Sequence, residues 1–355
     1  MTRFLLAGGG TAGHVNPLLA LADAIIADDD SNQVWALGTR EGLESTLVPQ
    51  RGYELLTVER LPFPRRPSWY AISFPFRFIR AIGQVKRYLK ANQIDVVVGF
   101  GGYASAPAYL AAKSLGIPSV VHEANALPGW ANKLGAKSAK AVGVTFNSTP
   151  IDNATFVGMP LRKEIEALVK NSDKESARLH FGLDPDTITL LVTGGSLGAK
   201  RINETIEKSR RVLSAAGIQV LHIMGGRSEL PEVHEKDYVR IAYCDRMDLA
   251  ISASDFAVSR AGSSTVSEFS ALGLPAAYVP YPVGNGEQKL NVSDVVAADG
   301  ALLVLDSDFD DAYVANTLVP LISNSRALAE MAKSAKKAGI SDGTARLLAL
   351  VKGVL

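Results

Sequence analysis

Two glycine-rich loops of one design constrain what this chain can fold into. The first follows the apolar run Arg3–Ala7 and reads Gly8-Gly9-Gly10-Thr11-Ala12-Gly13-His14. The second follows Thr189–Thr193 and reads Gly194-Gly195-Ser196-Leu197-Gly198. Each opens a helix-length segment. Glycine lets the backbone take positive φ and lets a ligand approach closely. A helix start then offers N–H groups and a partial positive charge to an anion. One loop of this kind is a weak signal; two, a domain's length apart, predict two phosphate-handling halves facing a cleft.

Short apolar runs alternate with helix-length segments along both halves. Arg3–Ala7, Gln33–Leu37, Val96–Phe100, Ser119–His122 and Lys140–Val144 read as buried parallel strands, as do Thr189–Thr193, Gln219–Met224, Phe256–Ser259, Ala276–Val279 and Ala301–Leu305. The pattern predicts an α/β protein of two doubly wound parallel sheets. A chain of 355 residues exceeds one core. Residues 1–157 and 163–337 are therefore the expected domains, hinged at Val157–Arg162 by Gly158 and Pro160, with a tail helix at about 340–355 packing back on the first. A formal net charge of +1 points to no nucleic-acid partner, and the lone Cys244 permits no internal disulfide. The charge-poor stretch from Ile94 to Val121 is interrupted by Asp95, Lys113, Gly and Pro, so it does not read as a membrane span.

Several segments carry chemistry. Arg260-Ala261-Gly262-Ser263-Ser264-Thr265-Val266-Ser267-Glu268 follows a strand and opens a helix. Its hydroxyls and N–H groups suit a diphosphate without a metal, and Glu268 suits a ribose; alternatively Thr265 and Glu268 form a capping box. Gln288 and Asn291 share a helical face where amides suit sugar hydroxyls, or they merely cap the helix. His14, at a helix start, suits a general base near neutral pH, or only hydrogen-bonds its loop. Gly101-Gly102-Tyr103 is a third candidate anion cradle. His122-Glu123-Ala124-Asn125 follows a strand; its adjacent side chains point apart, which argues against a metal pair. Asp28–Asp30, Asp184–Asp186 and Asp308–Asp310 read as solvated turns rather than a metal-binding Asp-x-Asp.

From Arg60 to Gln93 there is no acidic residue. Trp69, Phe74 and Phe78 stand among Arg65, Arg66, Arg77, Arg80, Lys86 and Arg87. The stretch reads either as a membrane-docking surface, with aromatics in the headgroup boundary and arginines at anionic lipid, or as a helix whose aromatics are core.

Taken together, Gly9-Gly10-Thr11-Ala12-Gly13-His14, Gly101-Gly102-Tyr103, His122-Glu123-Ala124-Asn125, Gly158-Met159-Pro160-Leu161-Arg162, Gly194-Gly195-Ser196-Leu197-Gly198-Ala199 and Arg260 to Glu268, followed by Gln288, resemble the MurG family of glycosyltransferases over essentially the whole length. The chain departs from the family's common residues at Ala12, Ala124, Met159, Leu197 and Glu287. The resemblance implies a GT-B fold and inverting transfer of N-acetylglucosamine, without metal or other cofactor. The donor it implies is UDP-N-acetylglucosamine. The acceptor is the C4 hydroxyl of undecaprenyl-diphosphate-linked N-acetylmuramoyl-pentapeptide, at the cytoplasmic face of the cell membrane. It implies donor contacts from Thr11, Ala12, Gly13, Asn125, Arg162, Ser196 and Gln288, with Asn291 beside them. Ser263, Ser264, Thr265 and Glu268 would surround the phosphates and ribose, and Cys244 would lie near the uracil. Gly10, Gly13, Gly102 and Tyr103 would cradle the acceptor diphosphate. His14, or otherwise Glu123, would be the base. A UDP-N-acetylglucosamine 2-epimerase on the same fold and a non-catalytic membrane recruiter remain alternatives at this point.

Overall fold

A computed structural model describes residues 1–64, 66–195 and 198–355, so Arg65, Ser196 and Leu197 lie outside the described residues. The chain forms two compact units. One comprises Met1–Arg162 with Asp342–Leu355, the other Lys163–Ser341.

The first unit alternates β1 (Arg3–Ala7), α1 (Ala12–Asp28), β2 (Gln33–Gly38), α2 (Glu44–Gln50), β3 (Glu54–Thr57), α3 (Trp69–Ala91), β4 (Val96–Gly99), α4 (Ser105–Leu115), β5 (Ser119–Glu123), α5 (Trp130–Ala136), β6 (Ala141–Val144) and β7 (Thr155–Phe156). All seven strands are parallel, in the order β3-β2-β1-β4-β5-β6-β7. The period of two in β1 divides the core. Phe4 and Leu6 face Leu18, Leu21 and Ile25 of α1, with Leu347 and Val351 of the C-terminal helix Gly343–Lys352. Leu5 and Ala7 face the other way, onto Val85 and Leu89 of α3 and Ala108 and Ala111 of α4. A sheet covered on both faces calls for strands apolar throughout, which is why Val96–Gly99 reads Val-Val-Val-Gly.

The second unit contains α6 (Lys163–Lys170), α7 (Lys174–His180), β8 (Thr189–Thr193), α8 (Lys200–Ala215), β9 (Gln219–Ile223), β10 (Val233–Glu235), β11 (Tyr238–Ile241), α9 (Met247–Ser252), β12 (Phe256–Ser259), α10 (Ser263–Leu272), β13 (Ala276–Tyr278), α11 (Glu287–Asn291), α12 (Ser293–Ala297) and β14 (Ala301–Leu303), then further helical turns ending in Ser325–Ala338. Its sheet runs β10-β11-β9-β8-β12-β13-β14, parallel except for the short edge strand β10. Leu190 and Val192 pack with Ile202, Ile206 and Leu213 of α8.

Candidate active site

In the first unit β1 and β4 are neighbours at the point where the strand order reverses. Open α/β sheets take ligands outside the carboxyl ends of such a pair. The loops leaving these strands pack backbone against backbone. Gly102 has φ +80°, and a Cβ there would stand 2.6 Å from the Gly9 carbonyl oxygen. Ser105 couples them further: its Oγ accepts from Gly101 N at 3.0 Å and reaches the carbonyl oxygens of Ala7 and Gly101, each at 2.8 Å.

His14 lies in the first turn of α1, with Nδ1 3.0 Å from Gly9 O and 3.4 Å from Thr11 Oγ1. A carbonyl oxygen only accepts, so Nδ1 carries the hydrogen and Nε2 of the neutral ring keeps its lone pair. Nε2 lies beside Gly101, where a Cβ would stand 3.1 Å away, and the side chain is half-buried.

Glu123 is buried and fully engaged. Oε1 accepts from Asn125 N at 2.9 Å; Oε2 accepts from Gly129 N and Asn132 Nδ2, each at 2.9 Å. This carboxylate braces the loop after β5, which corrects the expectation that it serves as an alternative base. His122 is wholly buried, and its Nε2 lies 3.1 Å from Gly158 O. Burial holds its pKa down to about 4, with the Gly158 carbonyl opposing and nearby His14 adding to the lowering. Gly10 also needs correction as a diphosphate contact. Its N–H donates to Glu44 Oε2 at 2.7 Å, so a buried carboxylate already holds the group a phosphate would use. Gly13, Gly102 and Tyr103 remain half-buried at the same strand ends, and Arg60 lies over the Tyr103 ring at 5.3 Å.

The second unit has its own reversal between β8 and β12. Gly195 and Gly198 both take φ +82°, and Gly198 N donates to Gly195 O at 2.9 Å. Beneath this loop runs a buried chain that sequence reading missed. The Tyr238 hydroxyl lies 2.7 Å from His222 Nδ1, His222 Nε2 lies 3.1 Å from Asn203 Oδ1, and Asn203 Nδ2 donates to Met224 O at 3.0 Å. Met224 O is the atom a Cβ on Gly198 would strike. Burial, then the Arg240 charge, lowers the His222 pKa to about 3. A histidine inside the otherwise apolar stretch Val220-Leu221-His222-Ile223 of β9 was the available signal.

After β12, α10 begins at Gly262 as N-cap, with no side-chain capping bond. Thr265 is thus the third helical residue rather than a cap, which removes the capping-box alternative. Ser263 and Glu268 are buried, and Ser264 Oγ is buried without a hydrogen-bond partner among the described residues. Arg260 Nη1 binds Asp306 Oδ1 at 2.6 Å and the carbonyls of Val279 and Pro280 at 3.0 and 3.1 Å, fixing the loop that leads to α11. Gln288 Oε1 accepts from Tyr281 N at 2.9 Å. Asn291 is 1% exposed and donates to Ala261 O, so it braces the start of α10 rather than meeting a sugar, a further correction. Cys244 is buried in the segment between β11 and α9.

Residues 4–144 match the glycosyltransferase family 28 N-terminal domain, and residues 189–347 match the family 28 C-terminal domain. The chain belongs to glycosyltransferase family 28. A relative from Clavibacter sepedonicus, named UDP-N-acetylglucosamine--N-acetylmuramyl-(pentapeptide) pyrophosphoryl-undecaprenol N-acetylglucosamine transferase, is 55% identical over 99% of this chain and 96% of its own. One of the same name from Streptomyces coelicolor is 47% identical over 98% and 96%. Among solved structures, MurG of Acinetobacter baumannii superposes with TM-score 0.77 at 24% identity, covering 99% of this chain and 100% of that one. A UDP-GlcNAc 2-epimerase from Neisseria meningitidis gives 0.69 at 16%, covering 99% and 100%. These likenesses place both units in the GT-B class of folds.

This family 28 chain also presents α3, whose surface corrects the docking expectation. Phe74 is buried with Leu61 and Ala81, and Phe78 is half-buried against them, so Phe74 is core and Phe78 is covered. The exposed apolar residues are instead Trp69, Ile72, Phe76 and Ile79, from 64% to 87% exposed. Their spacing of three and four residues puts them on one helical face. Arg80 is exposed, whereas Arg77 is ion-paired with Glu59. Among the described residues, no helix is long and apolar enough to cross a membrane, and no group of three or more His, Cys, Asp or Glu side chains is placed to hold a metal ion.

Proposed function

We propose that this family 28 glycosyltransferase moves N-acetylglucosamine from UDP-N-acetylglucosamine to the C4 hydroxyl of undecaprenyl-diphosphate-linked N-acetylmuramoyl-pentapeptide, with inversion and without a metal. The observation that carries the mechanism is the held imidazole of His14, whose Nδ1–H is engaged by Gly9 O and whose Nε2 is left basic. Nε2 takes the proton of the acceptor hydroxyl. The C4 oxygen bonds to the anomeric carbon as the bond to UDP breaks on the opposite side, giving the β product. A base in hydrogen-bond reach contributes typically about 10²–10⁴-fold.

The departing diphosphate is met by the start of α10, where first-turn N–H groups lack intrahelical acceptors, together with the Ser263, Ser264 and Thr265 side chains and Arg162. Glu268 holds the ribose. Gln288, Asn125, Thr11, Ala12 and Gly13 complete the donor contacts, together with Ser196; Cys244 lies by the uracil. Gly13, Gly102 and Tyr103 receive the acceptor diphosphate. The protein docks peripherally on the anionic cytoplasmic face of the membrane through Trp69, Ile72, Phe76 and Ile79, with Arg80 at the headgroups.

The deciding experiment supplies radiolabelled UDP-N-acetylglucosamine with and without a lipid-diphosphate-muramoyl acceptor. Label in the lipid fraction, undiminished by EDTA, is expected. Formation of the manno isomer from donor alone would establish an epimerase instead.

A further inference from the structure

Under the first glycine loop lies a carboxylate that the mechanism above does not use. Glu44, the first residue of α2, is wholly buried. Its Oε2 accepts Gly10 N–H at 2.7 Å, and its Oε1 accepts both the N–H and the hydroxyl of Thr39, each at 2.8 Å. All three partners are donors, the arrangement an ionised carboxylate satisfies. Glycines clear the space around it: a Cβ on Gly9, Gly38 or Gly42 would overlap the Glu44 side chain. A buried charge with no cation beside it is costly even when hydrogen-bonded, so a carboxylate sealed here calls for a reason.

That reason lies in one peptide group. The Gly9 carbonyl and the Gly10 N–H belong to the same trans peptide, so its oxygen and its hydrogen point to opposite sides. On one side the oxygen accepts His14 Nδ1–H at 3.0 Å; on the other the N–H donates to Glu44 at 2.7 Å. Imidazole, peptide and carboxylate thus form one continuous chain of hydrogen bonds. A negative acceptor at the N–H pushes electron density onto the carbonyl oxygen and strengthens it as an acceptor. In hydrolytic triads a buried carboxylate orients a catalytic imidazole and stabilises its protonated form by direct contact. Here a peptide is interposed.

We propose that Glu44 is a positioning residue for His14. Through the Gly9–Gly10 peptide it holds the tautomer with Nε2 free and stabilises the imidazolium that forms when Nε2 accepts the substrate proton. The Nδ1 proton stays on Nδ1 throughout. This inference rests on the reading of His14 as the base.

Glu44→Gln removes the charge while keeping the side chain's size. The expected result is a kcat at least about tenfold lower, within the range a general base contributes, with KM for UDP-N-acetylglucosamine within about twofold. The acid limb of the kcat profile should move to lower pH, because a less stabilised imidazolium loses its proton more readily. The NMR titration of His14, assigned among the five histidines by its loss in His14→Ala, should move the same way. Thr39→Val withdraws one donor from Glu44 without discharging it, and should leave the limb in place or move it to higher pH. A Glu44→Gln enzyme with a lower rate but an unmoved limb and titration would reduce Glu44 to a loop brace and overturn the proposal. Should Glu44→Gln not fold, the wild-type protein decides: its neutral His14 must be the Nδ1–H tautomer by nitrogen-15 shifts, and the Nε2–H form would overturn the relay. His14→Ala run in parallel separates the two ideas. Full activity there removes His14 as base whatever Glu44 does. Loss there, with Glu44→Gln unmoved, removes only the relay.

Discussion

Asn291 Nδ2 donates to the carbonyl oxygen of Ala261 across 3.2 Å, tying the end of α11 to the residue just before the N-cap of α10. The bond fixes where the first-turn N–H groups of α10 point. Asn291→Ala leaves a buried carbonyl with one partner fewer, at a cost of about 1–2 kcal/mol. We expect KM for UDP-N-acetylglucosamine to rise several-fold, with a modest fall in thermal midpoint and kcat little changed. Steady-state kinetics beside a melting curve check this; an unchanged KM would detach α11 from the donor site.

Ser264 offers the opposite pairing of effects. Its hydroxyl is buried with no partner among the described residues. Deleting an unsatisfied hydroxyl is neutral or slightly stabilising to the fold. Ser264→Ala should therefore melt at or above the wild-type temperature while binding UDP at least about fivefold more weakly, the loss of one charge-assisted hydrogen bond. Calorimetric titration with UDP reads the second quantity, and wild-type affinity there would remove Ser264 from the diphosphate contacts.

Acid should destabilise the fold through its buried histidines. His122 titrates at about 4 in the folded protein, against an ordinary value of 6.5. Between those values the unfolded chain carries the proton and the folded chain does not, so stability falls as pH drops from 6.5 towards 4. The full contribution is about 3 kcal/mol. His222, lowered to about 3, acts in the same direction within the second unit. Urea unfolding from pH 7 to 4.5 should give a steep fall for wild type, and a slope shallower by about one proton for His122→Gln. Equal slopes would show that His122 is protonated in the fold.

The double glycine loop and the apolar runs made both sheets legible, because strands buried on two faces are apolar along their whole length. The edges were less so. Glu54–Thr57 is mostly half-exposed and Val233–Glu235 largely exposed, and neither shows an unbroken apolar run. Tyr238–Ile241 hides a buried Arg240, whose charge is met by Glu207 across the sheet surface, a pairing invisible along the chain. At the site, residue types were readable but their accessibility was not. Nothing local distinguishes Asn291 from Gln288, or marks Glu44 as the carboxylate under a loop more than thirty residues earlier. On α3 the aromatic content was plain, yet the inward face was fixed by Leu61 and Ala81, so the docking face fell one step round the helix from Phe74.

That rotation gives a sharp test of membrane docking. Trp69, Ile72, Phe76 and Ile79 face outward, whereas Phe74 packs edge-on against Phe63 and Tyr70 and stacks on Phe78 at 5.6 Å between ring centroids. Trp69→Ser with Phe76→Ser should cut sedimentation with anionic vesicles at least about tenfold, since apolar insertion and basic attraction act together, and should leave the melting temperature within a degree or two, as substitutions at exposed sites generally do. Phe74→Ala should do the reverse, costing about 3 kcal/mol of stability as a cavity in a small cluster while vesicle binding of the folded fraction persists. Raising salt should weaken binding through Arg80 and its basic neighbours without abolishing the aromatic part. Vesicle binding that survives loss of Trp69 and Phe76 would place the docking surface on another element.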